Sequence, residues 1–392
     1  MACERLSNFA LLPELKLIKT VNLGGTGLLF IAEKTSSMEV CPKCATPSSK
    51  VYDRRKVRIK DEPLRGKKVL IEITKRRFSC LPCKKPFTEP IPGIGKGKRT
   101  THRLQRGITW ACEHFSSLKS VQKAYFCSAR MVYTAFYSRL EEREKTRKYP
   151  VPKHIGIDEH SIRKRKHKPV EYATMVVDHC NKRVYELIEG RTLEELDNAT
   201  SAWSGLENVE IATLDLSSTY RSFLRRKCPK AKLVADRFHV QRLFTKLVNK
   251  QRLKITGDKR IAMNRILLMD SKNLEWDLRR EILSALPLYP DLNEVYHLKE
   301  AMHRFYRIRG KEKAREALIK ILDRMGKSSI EKLRDLRKVI LNWREEILNY
   351  FEGGYSNGRV EGFNRKAKLV QRKAYGIKSF KNYRLRMLNE CA

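Results

Sequence analysis

The sequence predicts an α/β protein: a cysteine-bearing β module and a short helical module, then an α/β core split by an all-helical segment. Three observations carry this. Two Cys-x-x-Cys pairs, Cys41/Cys44 and Cys80/Cys83, enclose runs of period-two alternation. From 153 to 240 the pattern reads strand, strand, strand, helix, strand, helix, strand. From 241 to 350 it is helical and charged, and a striped helix resumes near 357.

Composition sets the class of partner. Among 392 residues, 84 Lys and Arg face 44 Asp and Glu, a net charge of +40. That excess points to a polyanion bound with a salt-sensitive electrostatic share. It argues against an enzyme of small molecules. The cations are spread over several segments, which suits an extended DNA path better than a targeting tail. No run of about 18 apolar residues exists, so no membrane span is expected. Val21 to Ala32 is short and glycine-broken, and no cleavable leader precedes it. With ten cysteines, four of them in CxxC pairs, a reduced cytoplasmic protein with one metal site fits better than a disulfide framework.

Taken in order, residues 1–36 form an arm with weak strand signals. Residues 37–92 read as a zinc ribbon. Cys41, Cys44, Cys80 and Cys83 supply four thiolates for one tetrahedral Zn²⁺, whereas a redox site needs only one such motif. Cations outnumber acids between Lys50 and Lys85, which predicts phosphate contact. Pro90, Pro92, Gly93, Gly95 and Gly97 mark a linker.

Residues 98–148 read as three helices. Leu104, Ile108, Ala111 and Phe115 share one face of the first, and Leu118, Val121 and Ala124 lie on the second. Ser128 caps the third, with Val132, Phe136 and Leu140 inward. This is a helix-turn-helix pattern with 128–141 as reading helix and Arg130, Tyr133 and Tyr137 toward the groove. Phe126 stands where that turn usually has glycine. A three-helix packing unit without a DNA role is the alternative.

Residues 153–240 carry strands at 154–158, Tyr172–Val177, Arg183–Ile188, 209–215 and Leu233–Asp236, with helices at 193–204 and 218–227. A meander of three strands, then helix, strand, helix, strand, is the ribonuclease H-like order. In it the first and fourth strands are neighbours, so Asp158 and Asp215 at their ends approach one another. Arg163, Lys164, Arg165 and Lys166 follow the first strand, as a solvated turn or as a grip on the DNA backbone.

Residues 241–350 form a helical insertion with Trp276 and Trp343 as expected buried anchors. Residues 351–392 return to the core. A helix from Ser356 or Asn357 has an apolar stripe of Val360, Phe363, Ala367, Val370 and Ala374. Glu361, Arg365, Lys368 and Arg372 fall on an adjoining face, a carboxylate followed by phosphate-binding cations. Carboxylates gathered from distant segments repel, and a pair of hard divalent cations compensates. Two such ions are equipped for in-line attack on a phosphodiester. His239 could touch a phosphate or a metal water, or simply pair with Asp236.

The stretches YDRRKVRIKDEPLRGKKV, RRFSCLPCKKPFTE, IGIDEHS, ATLDLSSTYRSF, VADRFHVQRL and YSNGRVEGFNRKAKLVQRKAYGIKSFKNYRLRML resemble bacterial insertion-sequence transposases of the DDE type. The resemblance is to the ISL three group, which has a zinc ribbon, a helix-turn-helix and a helical insertion before the glutamate. It implies Asp158, Asp215 and Glu361 as a catalytic triad on two Mg²⁺ or Mn²⁺ ions, with Asp236 and His239 auxiliary. It implies binding of terminal inverted repeats and target DNA, strand cleavage and transfer, and a homo-oligomer in the synaptic complex. In the cell such a protein is cytoplasmic and sits on the nucleoid when bound to DNA. Two other readings stay open: a structure-specific nuclease of the same fold, and a transposase-derived regulator without catalysis.

Overall fold

Period-two alternation builds the strands between Leu15 and Thr88 of the chain, which a computed structural model describes over residues 12–163, 169–257, 263–374 and 379–392. The chain divides into two compact units at Arg147/Lys148. In the first, β1 (Leu15–Asn22) and β2 (Leu28–Lys34) come from the segment expected as a separate arm. They instead complete a sheet. After the short β3 (Glu39–Val40) and β4 (Pro47–Ser48), β5 (Val51–Leu64) and β6 (Lys67–Cys80) form a long antiparallel hairpin. Strand β2 runs parallel to β6, and β7 (Lys85–Thr88) pairs antiparallel with its last residues. Phe30, Ala32, Ile59, Val69, Ile71 and Ile73 close one face of this sheet. An apolar face that large is why 12–36 joins the sheet.

Helices α1 (His102–His114), α2 (Leu118–Ala124) and α3 (Ala129–Thr146) follow. Thr101, Ser117 and Ser128 each accept a backbone N–H in the first turn, so all three starts are set by side-chain caps. Leu104, Ile108, Val121, Val132, Phe136 and Leu140 are buried, as their spacing predicts. Phe126 is in the left-handed region at φ 51°, where a glycine would be at ease.

The second unit is organised by β8 (His154–Arg163), β9 (Glu171–Asp178), β10 (Arg183–Glu189), β11 (Ile211–Leu214) and β12 (Lys232–Ala235), with α4 (Leu193–Thr200) and α5 (Ser218–Lys227) between. The sheet order is β10-β9-β8-β11-β12, antiparallel among the first three strands and parallel among β8, β11 and β12. This is the ribonuclease H-like order. One expectation is corrected: β8 does not stop at Asp158. Its pairing with β11 ends at Ile157↔Leu214, but its pairing with β9 continues to Arg163. Asp158 therefore sits mid-strand with one edge uncovered. Lys164, Arg165 and Lys166 lie outside the described residues.

The insertion comprises α6 (Arg237–Thr256), α7 (Met263–Leu268), α8 (Trp276–Ala285), α9 (Pro290–Phe305), α10 (Lys311–Lys327), α11 (Glu331–Asn342) and α12 (Arg344–Gly353). Its apolar faces share one core with Ile155, Ile157, Ala212 and Leu214 of the sheet. Trp343 is buried there, but Trp276 is 69% exposed and is not an anchor. The buried residue of α8 is Ile282, so the face carrying Trp276 and Leu283 points outward.

Helices α13 (Gly358–Lys373) and α14 (Phe380–Glu390) cover the other face of the sheet. Val360, Phe363, Ala367 and Val370 pack on Ala173, Met175 and Val177, and Ala374 is half-buried at the end of the stripe. Alternation along β8 turns Ile155 and Ile157 to the insertion side, leaving Gly156, Asp158 and His160 toward α13.

Candidate active site

Register does the first part of the assembly. Ile157 is opposite Leu214 in the parallel β8/β11 pair, so the next residues, Asp158 and Asp215, come side by side. Asp236 follows β12 at the N-cap of α6, and His239 lies one turn on. Ligand atoms of Asp158, Asp215 and His239 all fall within 4.8 Å of one another.

Helix α13 is fastened by buried hydrogen bonds. The His179 imidazole Nε2 bonds Thr213 Oγ1 at 2.8 Å, and Thr213 Oγ1 donates to Asn357 Oδ1 at 2.8 Å. Asn357 Nδ2 donates to the Ile157 carbonyl at 3.3 Å. Gly156 makes the close approach feasible. A Cβ there would lie 2.5 Å from Val360 Cγ2, 2.6 Å from His179 Nε2 and 2.9 Å from Asn357 Oδ1.

Glu361 falls in the first turn of α13. It lines the same cavity, of about 690 Å³, as Asp158, Asp215, Asp236, His239, Asn364, Arg365 and Lys368. Its carboxylate is half-exposed and accepts from Arg365 at 2.9 Å, so it is not within the tight cluster. Asn364, one turn further on, donates from Nδ2 to Asp158 Oδ2 at 2.8 Å. Arg372 is exposed and outside the cavity lining, and Arg163 pairs with Glu171 at 3.4 Å.

The electrostatics are those of crowded, desolvated acids. Burial, then repulsion from Asp215, raises the Asp158 carboxyl to about 7. Burial raises Asp215 to about 6 against the favourable charge of His239. His239 is held above its ordinary value by its hydrogen bond to Asp236 Oδ2, at 2.8 Å. Among the described residues, the buried Asp215 Oδ1 and Asp236 Oδ1 have no hydrogen-bond partner. An unsatisfied oxygen on the Asp215 carboxyl, whose proton affinity is raised and which faces a cavity, fits a hard divalent cation.

In the first unit, Cys41, Cys44, Cys80 and Cys83 also lie within 4.8 Å of one another. The second cysteine of each pair precedes a residue at positive φ, Ala45 at 57° and Lys84 at 54°, so two similar knuckles face each other. Neighbouring thiols, with the Cys44 contact largest, push Cys83 up to about 12, while hydrogen bonds from Thr46 pull Cys44 down to about 6. Four sulfurs so placed have the donor set of a structural Zn²⁺ site.

Comparison with known proteins agrees. A family model for DDE transposases of the ISL3 type, described as transposase, matches residues 155–387. This chain belongs to that transposase family. A second model, described as the zinc-finger of transposases IS204/IS1001/IS1096/IS1165, matches residues 38–83. The transposase of IS1001 from Bordetella parapertussis is 22% identical over 370 residues, covering 90% of this chain and 89% of that protein. The transposase of IS1557 from Mycobacterium tuberculosis is 23% identical over 348 residues, covering 79% and 76%.

For this transposase, sequence reasoning missed Gly156, Thr213, His179, Asn357 and Asn364. Gly156 and Asn364 sit inside the motifs IGIDEHS and GRVEGFN, so their nearness to an acid was a usable signal. Thr213, two residues before Asp215 in ATLDLSSTYRSF, carried the same signal, whereas His179 carried none. Of the expected DNA-contact residues on α3, Arg130 and Tyr133 are exposed, and Tyr137 is half-buried with its ring 5.7 Å from Tyr133.

Proposed function

We propose that the cavity on β8, β11 and α13 cleaves the DNA ends of a mobile element and joins the freed 3′-OH to target DNA. The observation that carries this is the meeting of Asp158 and Asp215, both with raised proton affinity, in a cavity that also holds Glu361, Arg365 and Lys368. Asp158, Asp215 and Glu361 would hold Mg²⁺ or Mn²⁺, whose role when bound is to polarise the phosphodiester and favour ionised water or 3′-OH as nucleophile. Glu361 reaches the site by leaving Arg365. That exposed (i, i+4) pair is worth only about 0.3–0.5 kcal/mol. The released Arg365, with Lys368, then faces the phosphates. The hydrogen bond to Asp236 favours the protonated form of His239, which in that form adds positive charge beside the scissile phosphate.

The rest of the reading follows the chain. Residues 37–92 act as a structural zinc ribbon, and 98–148 as a helix-turn-helix that presents Arg130, Tyr133 and Tyr137 to the terminal repeats. Arg163, Arg365, Lys368 and Arg372 bind the DNA backbone. The protein pairs with further copies in the synaptic complex and sits on the nucleoid when bound to DNA. Asp158→Asn, Asp215→Asn and Glu361→Gln should each abolish cleavage of labelled element ends while leaving DNA binding intact. Parallel loss of binding and cleavage would contradict the roles assigned. Cutting without strand transfer would favour a nuclease.

A further inference from the structure

Between α1 and α3 runs an open groove of about 1030 Å³, of whose lining the roles above use only Arg130. Its two acids are already neutralised, Glu113 by Arg143 and Glu142 by Arg139. Lys98, Arg106 and Arg130 also line it, and among the described residues none of them makes an ion pair. The groove therefore carries uncompensated positive charge. Trp110 stands in it, 55% exposed. Its ring is stacked on His114 at 4.4 Å and 18°. His114 Nδ1 donates to the Trp110 carbonyl at 2.7 Å, which holds the pair of rings in register. A lone aromatic on a surface needs no explanation. An oriented indole beside three uncompensated cations matches the chemistry of nucleic acid with accessible base faces.

We propose that this groove binds single-stranded DNA, with one base stacked on Trp110 and neighbouring phosphates at Lys98, Arg106 and Arg130. Within a duplex each base is covered by its neighbours, so an indole has no face to stack on. An open groove of this size suits a strand running through it better than an enclosed small molecule. Negative charge is required of the occupant, because the groove offers no free carboxylate. The inference rests on the reading of the chain as a DNA-processing enzyme and adds a strand-binding site in the first unit.

The test uses the full chain and a single-stranded oligonucleotide carrying 5-iododeoxyuridine. Photocrosslinks mapped by mass spectrometry should include Trp110. Trp110→Ala should weaken binding of single-stranded DNA about 5- to 150-fold, the range of one stacked base. Duplex affinity and zinc content should stay unchanged, and Trp110→Phe should restore most of the loss. Arg106→Ala should lower the slope of log affinity against log salt by about 0.7 for single strands. Crosslinks confined to residues outside the groove, or equal loss for single-stranded and duplex DNA, would overturn the proposal. Cleavage by the Asp158→Asn protein tests the catalytic reading separately, since neither result depends on Trp110.

Discussion

Asn364 Nδ2 donates to Asp158 Oδ2 across 2.8 Å, tying the second turn of α13 to β8. The bond favours the ionised carboxylate at a place where burial opposes ionisation. Asn364→Ala should raise the proton affinity of Asp158 further. The acidic limb of the cleavage pH profile should then move to higher pH, with a loss of about 10-fold or more at neutral pH that shrinks under alkaline conditions. A uniform loss at every pH would assign Asn364 a merely structural part.

Gly156 sets how closely α13 approaches the sheet. Gly156→Ala should cost about 1–3 kcal/mol by overpacking against Val360 and Asn357. Cleavage should fall more than stability explains, because Asn357 and Glu361 shift together. Adding Val360→Ala should return part of the stability in chemical denaturation.

The acids make the metal-free protein sensitive to pH. Asp158 and Asp215 have folded values of about 7 and about 6, above an ordinary 3.8. A raised folded value gives stability that is fully present below about 4 and lost as pH rises through 6 and 7. His239, also raised, acts in the same direction. Melting of the chelated protein should therefore decline from pH 5 to pH 8, and Mg²⁺ should restore it at the upper end. Asp158→Asn should stabilise the metal-free protein at pH 8 by on the order of 2 kcal/mol. The same substitution should make Mg²⁺ less stabilising.

The two cysteine knuckles predict one zinc per chain, measurable by elemental analysis. Cys80→Ser should release it and destabilise the first unit. The second unit, with its own core, should melt as before. At the knuckles, Ala45→Gly and Lys84→Gly should be neutral to stabilising, since each position has positive φ. Phe126→Gly should behave alike, gaining up to about 1 kcal/mol.

What could be read from the sequence was what depends on period and spacing. Strands that alternate, helices with capped starts and the four thiols at CxxC spacing were all legible, as was the pairing of Asp158 with Asp215 through strand order. What could not be read depended on partners distant in sequence. The length of β8 is set by β9, not by the run ending at Ile157. Residues 12–36 look unremarkable until β6 offers an edge. Trp276 was expected inside from its size alone, but only its neighbours on α8 decide which face is buried. The bonds through Thr213 and Asn357 join residues 144 positions apart, and nothing local announces them.

In the proposed mechanism Asp158, Asp215 and Glu361 jointly hold divalent ions at the cleavage site. The most direct test counts Mn²⁺ by electron paramagnetic resonance in the wild-type protein bound to an element end. Two ions per active site are expected, with fewer in Asp158→Asn, Asp215→Asn and Glu361→Gln at equal DNA occupancy. An undiminished count in those variants would mean that the three carboxylates do not hold the ions.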